Sequence, residues 1–271
     1  MLRWLQGLGR KPVAPSIPDA LWAATLQDFP FLSRHGTGSL EALRGLAAGF
    51  LHTKEFHGAA GLAITDRMAL AIAAQASLPL VGIRGPYSGL DWYADFVGIV
   101  VHPGSVLARR ERVDDAGVVH QWQEELSGEA MEQGPVMLSW ADVADAGRSA
   151  AEGYNVVIHE FVHKLDMRDG APDGCPPLPA GFLGAKSAQQ ARAAWHACLQ
   201  ASYLDFCDKL SLAERFGGAP VWLDPYAAVS IDEFFAVASE AYFVHPQQFA
   251  CDFAPLLPMF DAWFGAVTPA A

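Results

Sequence analysis

The segment Asn155-Val156-Val157-Ile158-His159-Glu160-Phe161-Val162-His163-Lys164-Leu165-Asp166 constrains the chain more tightly than any other. Flanking apolar residues bury one side of a helix here, and Asn155 to Met167 ends before Gly170, a residue that stops helices. On that helix His159 and His163 are four residues apart, one turn along a single face. Both imidazoles can therefore point at one tetrahedral Zn²⁺, and Glu160 then reaches a water on the metal rather than the metal itself. With 9 histidines and twelve glutamates in 271 residues, the pattern arises by accident about 0.01 times.

Two neutral imidazoles need a third protein ligand, with the fourth position left to water. The pKa of that water falls towards about 7, and Glu160 takes its proton as hydroxide attacks a carbonyl. This is an apparatus for peptide-bond hydrolysis. The third ligand has two candidates, Glu233 and Glu240, seven residues apart on one face of an otherwise apolar helix. Ser230-x-x-Glu233 also reads as a capping box, which would leave ligation to Glu240. Spacing alone does not choose between them.

The surroundings read as an α+β domain. Apolar residues recur at helical spacing from Pro18 to about Asp28 and from Ser39 to Thr53, with Ser39 as a cap. They recur again from Thr65 through Ala76, ahead of Pro79. Short β-branched or aromatic runs follow at Phe96–Val101, Val118–Trp122 and Pro135–Trp140, suggesting one small sheet. The helical signal returns over Ala188–Leu210 and Ser230–Phe243. The expected organisation is a leader over 1–17 and a single domain over 18–271. That domain is helical over 18–80 and sheet-containing over 95–140, with an active-site helix over 154–168 and a third-ligand helix over 230–244.

Composition excludes several classes. At 52% hydrophobic and 18% charged residues, with a mean hydropathy of +0.16, the bulk of the chain is not disordered. A net charge of -12 repels phosphate backbones and anionic headgroups, so direct nucleic-acid binding is not expected. No apolar run approaches the roughly 20 residues of a membrane span. The N-terminus has no apolar region of signal-peptide length and reads as a cytoplasmic start. Cys175, Cys198, Cys207 and Cys251 show no CxxC pairing and read as small core hydrophobes or reduced thiols. His35, His52, His57, His102, His120, His196 and His245 read as structural or solvated, with only His52 and His57 close in sequence.

Three segments together resemble a known family: Gly134–Trp140, Asn155–Met167, and Asp224-Pro225-Tyr226-Ala227-Ala228 followed by Glu233-Phe234-Phe235-Ala236-Val237-Ala238-Ser239-Glu240. They are similar to the Mlc titration factor A family of bacterial zinc peptidases. That family in turn resembles the catalytic domain of anthrax lethal factor, a gluzincin. The resemblance implies a zincin-like fold, one zinc ion per chain and Glu233 as third ligand. It also implies an active-site tyrosine at Tyr226 that hydrogen-bonds the developing oxyanion. Glu240 becomes a partner for the free N–H of a ligand histidine, and Asp166 reads either as a second such partner or as a solvated acid at the helix end. The strand Val136–Trp140 takes the place of a substrate-binding strand. The implied activity is aminopeptidase-like, and the implied partners are a peptide or protein substrate and a Mlc-like transcriptional repressor that the protein sequesters. The 70-residue spacer between His163 and Glu233 is longer than the resemblance leads one to expect, with the extra length between Gly170 and Leu210.

Overall fold

The computed structural model describes residues 16–34, 37–113 and 119–266. Most of the expected leader, residues 1–15, lies outside the described residues, as do His35 and the side chain of His120. Helices dominate. α1 (Asp19–Asp28) and α2 (Thr37–Thr53) lead into β1 (Glu55–Gly58), and α3 (Asp66–Ser77) precedes β2 (Gly98–His102). A hairpin follows, β3 (Val106–Val113) with β4 (Val119–Leu126), then β5 (Gly128–Ala130) and β6 (Val136–Ser139). The remainder is helical: α4 (Trp140–Ser149), α5 (Val156–Asp166), α6 (Ala188–Phe216), α7 (Ile231–Val244), α8 (Pro246–Asp252) and α9 (Leu257–Phe264).

The strands do not make the one sheet expected. The main sheet runs β1-β2-β6-β5, with β1, β2 and β6 parallel and β5 antiparallel on β6. Among the described residues β4 instead pairs only with β3, in a separate antiparallel ribbon. β1 falls inside the stretch read as wholly helical, so the helical region over 18–80 is interrupted. Residues Glu55–Gly58 are mostly exposed and carry little alternation, and β1 exists by pairing with β2 some forty residues on. Trp140 opens α4 rather than closing a strand, because Ser139 caps that helix by accepting from the Asp142 backbone N–H. Ser39 is likewise inside α2 rather than its cap.

The sheet order leaves the strand expected to bind substrate, Val136–Trp140, without an open edge. β6 is paired on both sides, and the edges are β1 and β5. The edge beside α5 is therefore β5, which packs directly on that helix.

α5 occupies the centre of the structure. Asn155 caps it, its side-chain oxygen accepting from the Ile158 N–H at 2.9 Å. Every residue from Val156 to Asp166 is buried, so the helix is enclosed on all sides rather than on one face. α3, α7, β5 and β6 surround it. Phe161 packs against Phe50, Tyr93 and Phe96 at centroid separations of 5.4, 5.0 and 5.9 Å. Lys164, fully buried, donates to the carbonyls of Met131 at 2.8 Å and Gly134 at 3.3 Å, tying the helix to the β5–β6 turn. On the opposite side α7 carries an aromatic layer in which Phe235 meets Trp195, Phe260 and Trp263. All four thiols are free, and the core reading holds only for Cys175, since Cys198 and Cys207 are half-buried and Cys251 is exposed.

Candidate metal centre

α5 presents His159 and His163 toward the first turn of α7. The two Nε2 atoms are 3.2 Å apart. Glu233 Oε2 lies 3.0 Å from His159 Nε2 and 3.2 Å from His163 Nε2. These separations suit a metal, because donors about 2.0–2.1 Å from a tetrahedral ion stand about 3.3 Å from one another. The chemistry fits as well: two imidazoles and one carboxylate are a common catalytic zinc donor set with room for a fourth ligand. Among the described residues no other group of three His, Cys, Asp or Glu side chains converges in this way.

Ser230 caps α7 by accepting from the Glu233 N–H, at 3.5 Å. Only this half of a capping box forms. The Glu233 carboxylate turns away from the cap toward the histidines, and Tyr226 Oη lies 3.4 Å from its other oxygen. Burial alone would raise the Glu233 pKa, but hydrogen bonds with His159 and His163 hold it well below the usual carboxylate range.

Glu240, two turns along α7, meets the far side of the same imidazole. Its Oε1 is 2.7 Å from His159 Nδ1, and its Oε2 accepts from the Asn155 backbone N–H. With Nδ1–H committed to Glu240, the Nε2 lone pair of His159 faces His163 and Glu233. Burial disfavours the His159 cation, yet the Glu240 charge and the contacts to Glu233 and Glu240 push its pKa well up. The pocket thus favours positive charge at this point, which a dication supplies by displacing protons.

Asp166 is not brought to either histidine. Its Oδ2 accepts from the Gly174 N–H at 2.8 Å, and its Oδ1 has no partner. The side chain is buried rather than solvated, and burial pushes its pKa up to about 7.

Glu160 stands beside the cluster, 5% exposed, on the wall shared by two hollows of about 290 and 190 Å³. Burial raises its carboxyl to about 7 against the opposing pull of His159 and His163. β5 approaches so closely that a Cβ on Gly128 would lie 2.3 Å from Glu160 Oε1. Tyr226 is held on the far wall by a short 3-10 turn. Asp224 caps that turn, accepting from the Tyr226 N–H at 2.8 Å.

Sequence reasoning missed Gly128 and Gln75, and it quoted Asp224 without giving it the role of capping the Tyr226 turn. Gln75 left one trace, as an uncharged polar residue in the buried run from Met68 to Ser77.

Residues 8–264 match the family model described as glucose-regulated metallo-peptidase M90. The chain belongs to this metallo-peptidase family. Among its relatives, Mlc titration factor A of Klebsiella pneumoniae subsp. pneumoniae is 32% identical over 232 residues, covering 85% of this chain and 80% of its own length. Mlc titration factor A of Yersinia pestis is 31% identical over 248 residues, covering 91% of this chain and 83% of its own. That of Yersinia pseudotuberculosis matches equally. The M90 assignment bears out the family resemblance carried by the three sequence segments. It also agrees with a mixed α+β fold that is mostly helical and carries a small four-stranded sheet.

Proposed function

We propose that this protein is a zinc-dependent peptidase of aminopeptidase type, with His159, His163 and Glu233 as ligands and Glu160 as general base. The observation that carries the proposal is the convergence of the two Nε2 atoms and Glu233 Oε2 within 3.2 Å of one another, with Glu160 beside them in the hollow. When bound, the metal lowers the pKa of a water molecule and polarises the scissile carbonyl. Glu160 accepts the proton of the attacking water at its carboxylate and returns it to the leaving amine. Tyr226 Oη donates to the oxyanion as it develops. Glu240 fixes the ring of His159.

An extended peptide has one sheet edge available here, that of β5, which runs past Glu160. The hollows are walled by Glu129, Glu160, Asp224, Asp232, Glu233 and Glu240, with no lysine or arginine lining them among the described residues. Asp224 and Asp232 stand outside the donor set at the metal, and their charge favours a substrate with a free ammonium group.

The decisive experiment is elemental analysis and peptidase assay of wild type, Glu160→Gln and Glu233→Ala. Zinc near one per chain, kept in Glu160→Gln with turnover down about 10²–10⁴-fold and lost in Glu233→Ala, is the expected result. Full activity in Glu160→Gln sinks the mechanism. Acetylating the amine of a model substrate should lower its hydrolysis; equal rates for both forms refute the aminopeptidase preference.

A second reading follows from the relatives, which are named for titrating Mlc. On this reading the protein also sequesters a Mlc-like repressor in the cytoplasm, without touching nucleic acid itself. Retention of the repressor by immobilised Glu160→Gln would separate binding from catalysis, and failure of both forms to retain it would remove the reading.

A further inference from the structure

A chain of buried polar contacts runs from α3 to the candidate metal centre. Gln75, Asn155 and Glu240 are each 0% exposed. Asn155 Oδ1 accepts from the Ile158 N–H, which leaves its Nδ2 to donate, and it does so to Gln75 Oε1 at 2.7 Å. Gln75 Nε2 then donates to the Ala71 carbonyl of its own helix at 3.1 Å. Each amide has one orientation that satisfies both of its ends, so the set is locked. The same residue, Asn155, directs its backbone N–H at Glu240 Oε2, and Glu240 Oε1 holds His159 Nδ1.

We infer that Gln75 and Asn155 are positioning residues for the metal centre, locking Glu240 and through it the ring of His159. Residues 75 and 155 are 80 apart in sequence, and 155 and 240 are 85 apart. The link thus fastens α3, the start of α5 and α7 at a single point. A helix cap alone needs only an oxygen at position 155; serine would provide it. The amide is required for the contact to Gln75. Gln75, in turn, lies in a run of buried apolar residues where a polar side chain is costly unless paired.

The inference rests on His159 being a ligand, and its test keeps the two claims apart. Asn155→Ser keeps a cap and removes the donor to Gln75, whereas Gln75→Met keeps side-chain length and removes the acceptor. Zinc dissociation constants of the full chain are measured by competition with a chelating dye, alongside thermal unfolding to establish that each variant is folded. Each single variant should weaken zinc binding by about 3- to 30-fold, below or within the range for groups that touch a ligand directly. Because both variants cut the same link, the double variant should be no weaker than the worse single one. Affinity within twofold of wild type in the folded variants overturns the inference, as do losses that multiply in the double variant. Should Asn155→Ser not fold, the affinity of Gln75→Met decides alone. No zinc uptake by wild type overturns the metal centre and this inference with it.

Discussion

His159 is the residue on which the site turns, because its two ring nitrogens face carboxylates seven residues apart on α7: Glu233 at Nε2 and Glu240 at Nδ1. A carboxylate at Nδ1 fixes the tautomer, so Glu240→Ala should keep the fold but weaken zinc binding by about 10–100-fold. A dye-competition titration checks this, and unchanged affinity would assign Glu240 to packing alone. In the proposed mechanism Tyr226 acts later in the reaction. Tyr226→Phe should lower kcat by about 10- to 10³-fold, with KM and zinc content unchanged, since the contact is made mainly in the transition state. Asp166 offers a prediction independent of turnover. Its pKa of about 7 in the folded protein stands above the ordinary 3.8, so between these values the folded state holds a proton that the unfolded state has released. Stability attached to this group is present below about pH 4 and lost as pH rises through 7. Asp166→Asn should therefore be more stable than wild type at pH 8 and should lose less stability between pH 4 and 8 in urea unfolding. An identical pH profile would mean that the carboxyl is ionised in the fold.

At the scale of elements, the contact between β5 and α5 sets the width of the cleft. Gly128 permits it, since a methyl group there would lie 2.3 Å from Glu160 Oε1. Gly128→Ala should displace the base and cut turnover by about 10²-fold while leaving zinc content near wild type. Loss of zinc instead would show that β5 supports the ligands rather than the base. β5 itself was not legible from the sequence: three residues carry no usable periodicity, and the strand is defined by its partner β6. β1 escaped for the same reason. α5 and α7 were legible, because Asn155 and Ser230 are local caps and each stands before a long apolar run. The residues that converge on the candidate centre could be named from spacing within those helices, but the choice of Glu233 over Glu240 could not. That choice depends on which side of the His159 ring each carboxylate meets, a matter of how α7 packs on α5. Gln75 was hidden for a stronger reason, since nothing local indicates that its partner lies 80 residues away.

For the whole molecule, the question is whether the metal holds the fold or the fold holds the metal. One buried apolar cluster reaches from Trp22 in α1 through Phe50, Ile99, Leu138 and Phe161 to Trp195, Phe235 and Trp263. Its extent does not depend on the candidate ligands, and a chain of 271 residues buries enough surface to fold without a metal. The candidate ligands are nevertheless drawn from α5 and α7, so an ion bound by both would join the strands' side of the core to the C-terminal aromatic layer. Such an ion binds the folded state and not the dispersed ligands of the unfolded one. At free zinc about 1,000-fold above its dissociation constant it adds about 4 kcal/mol of stability, which for a chain of this size raises the melting temperature by about 10 °C. Chelation should accordingly lower Tm by that amount in scanning calorimetry while the far-ultraviolet circular dichroism at 25 °C stays helical. Collapse of the helical signal on chelation would show that the core is incomplete without the ion. No shift at all would mean that the three donors converge without binding one.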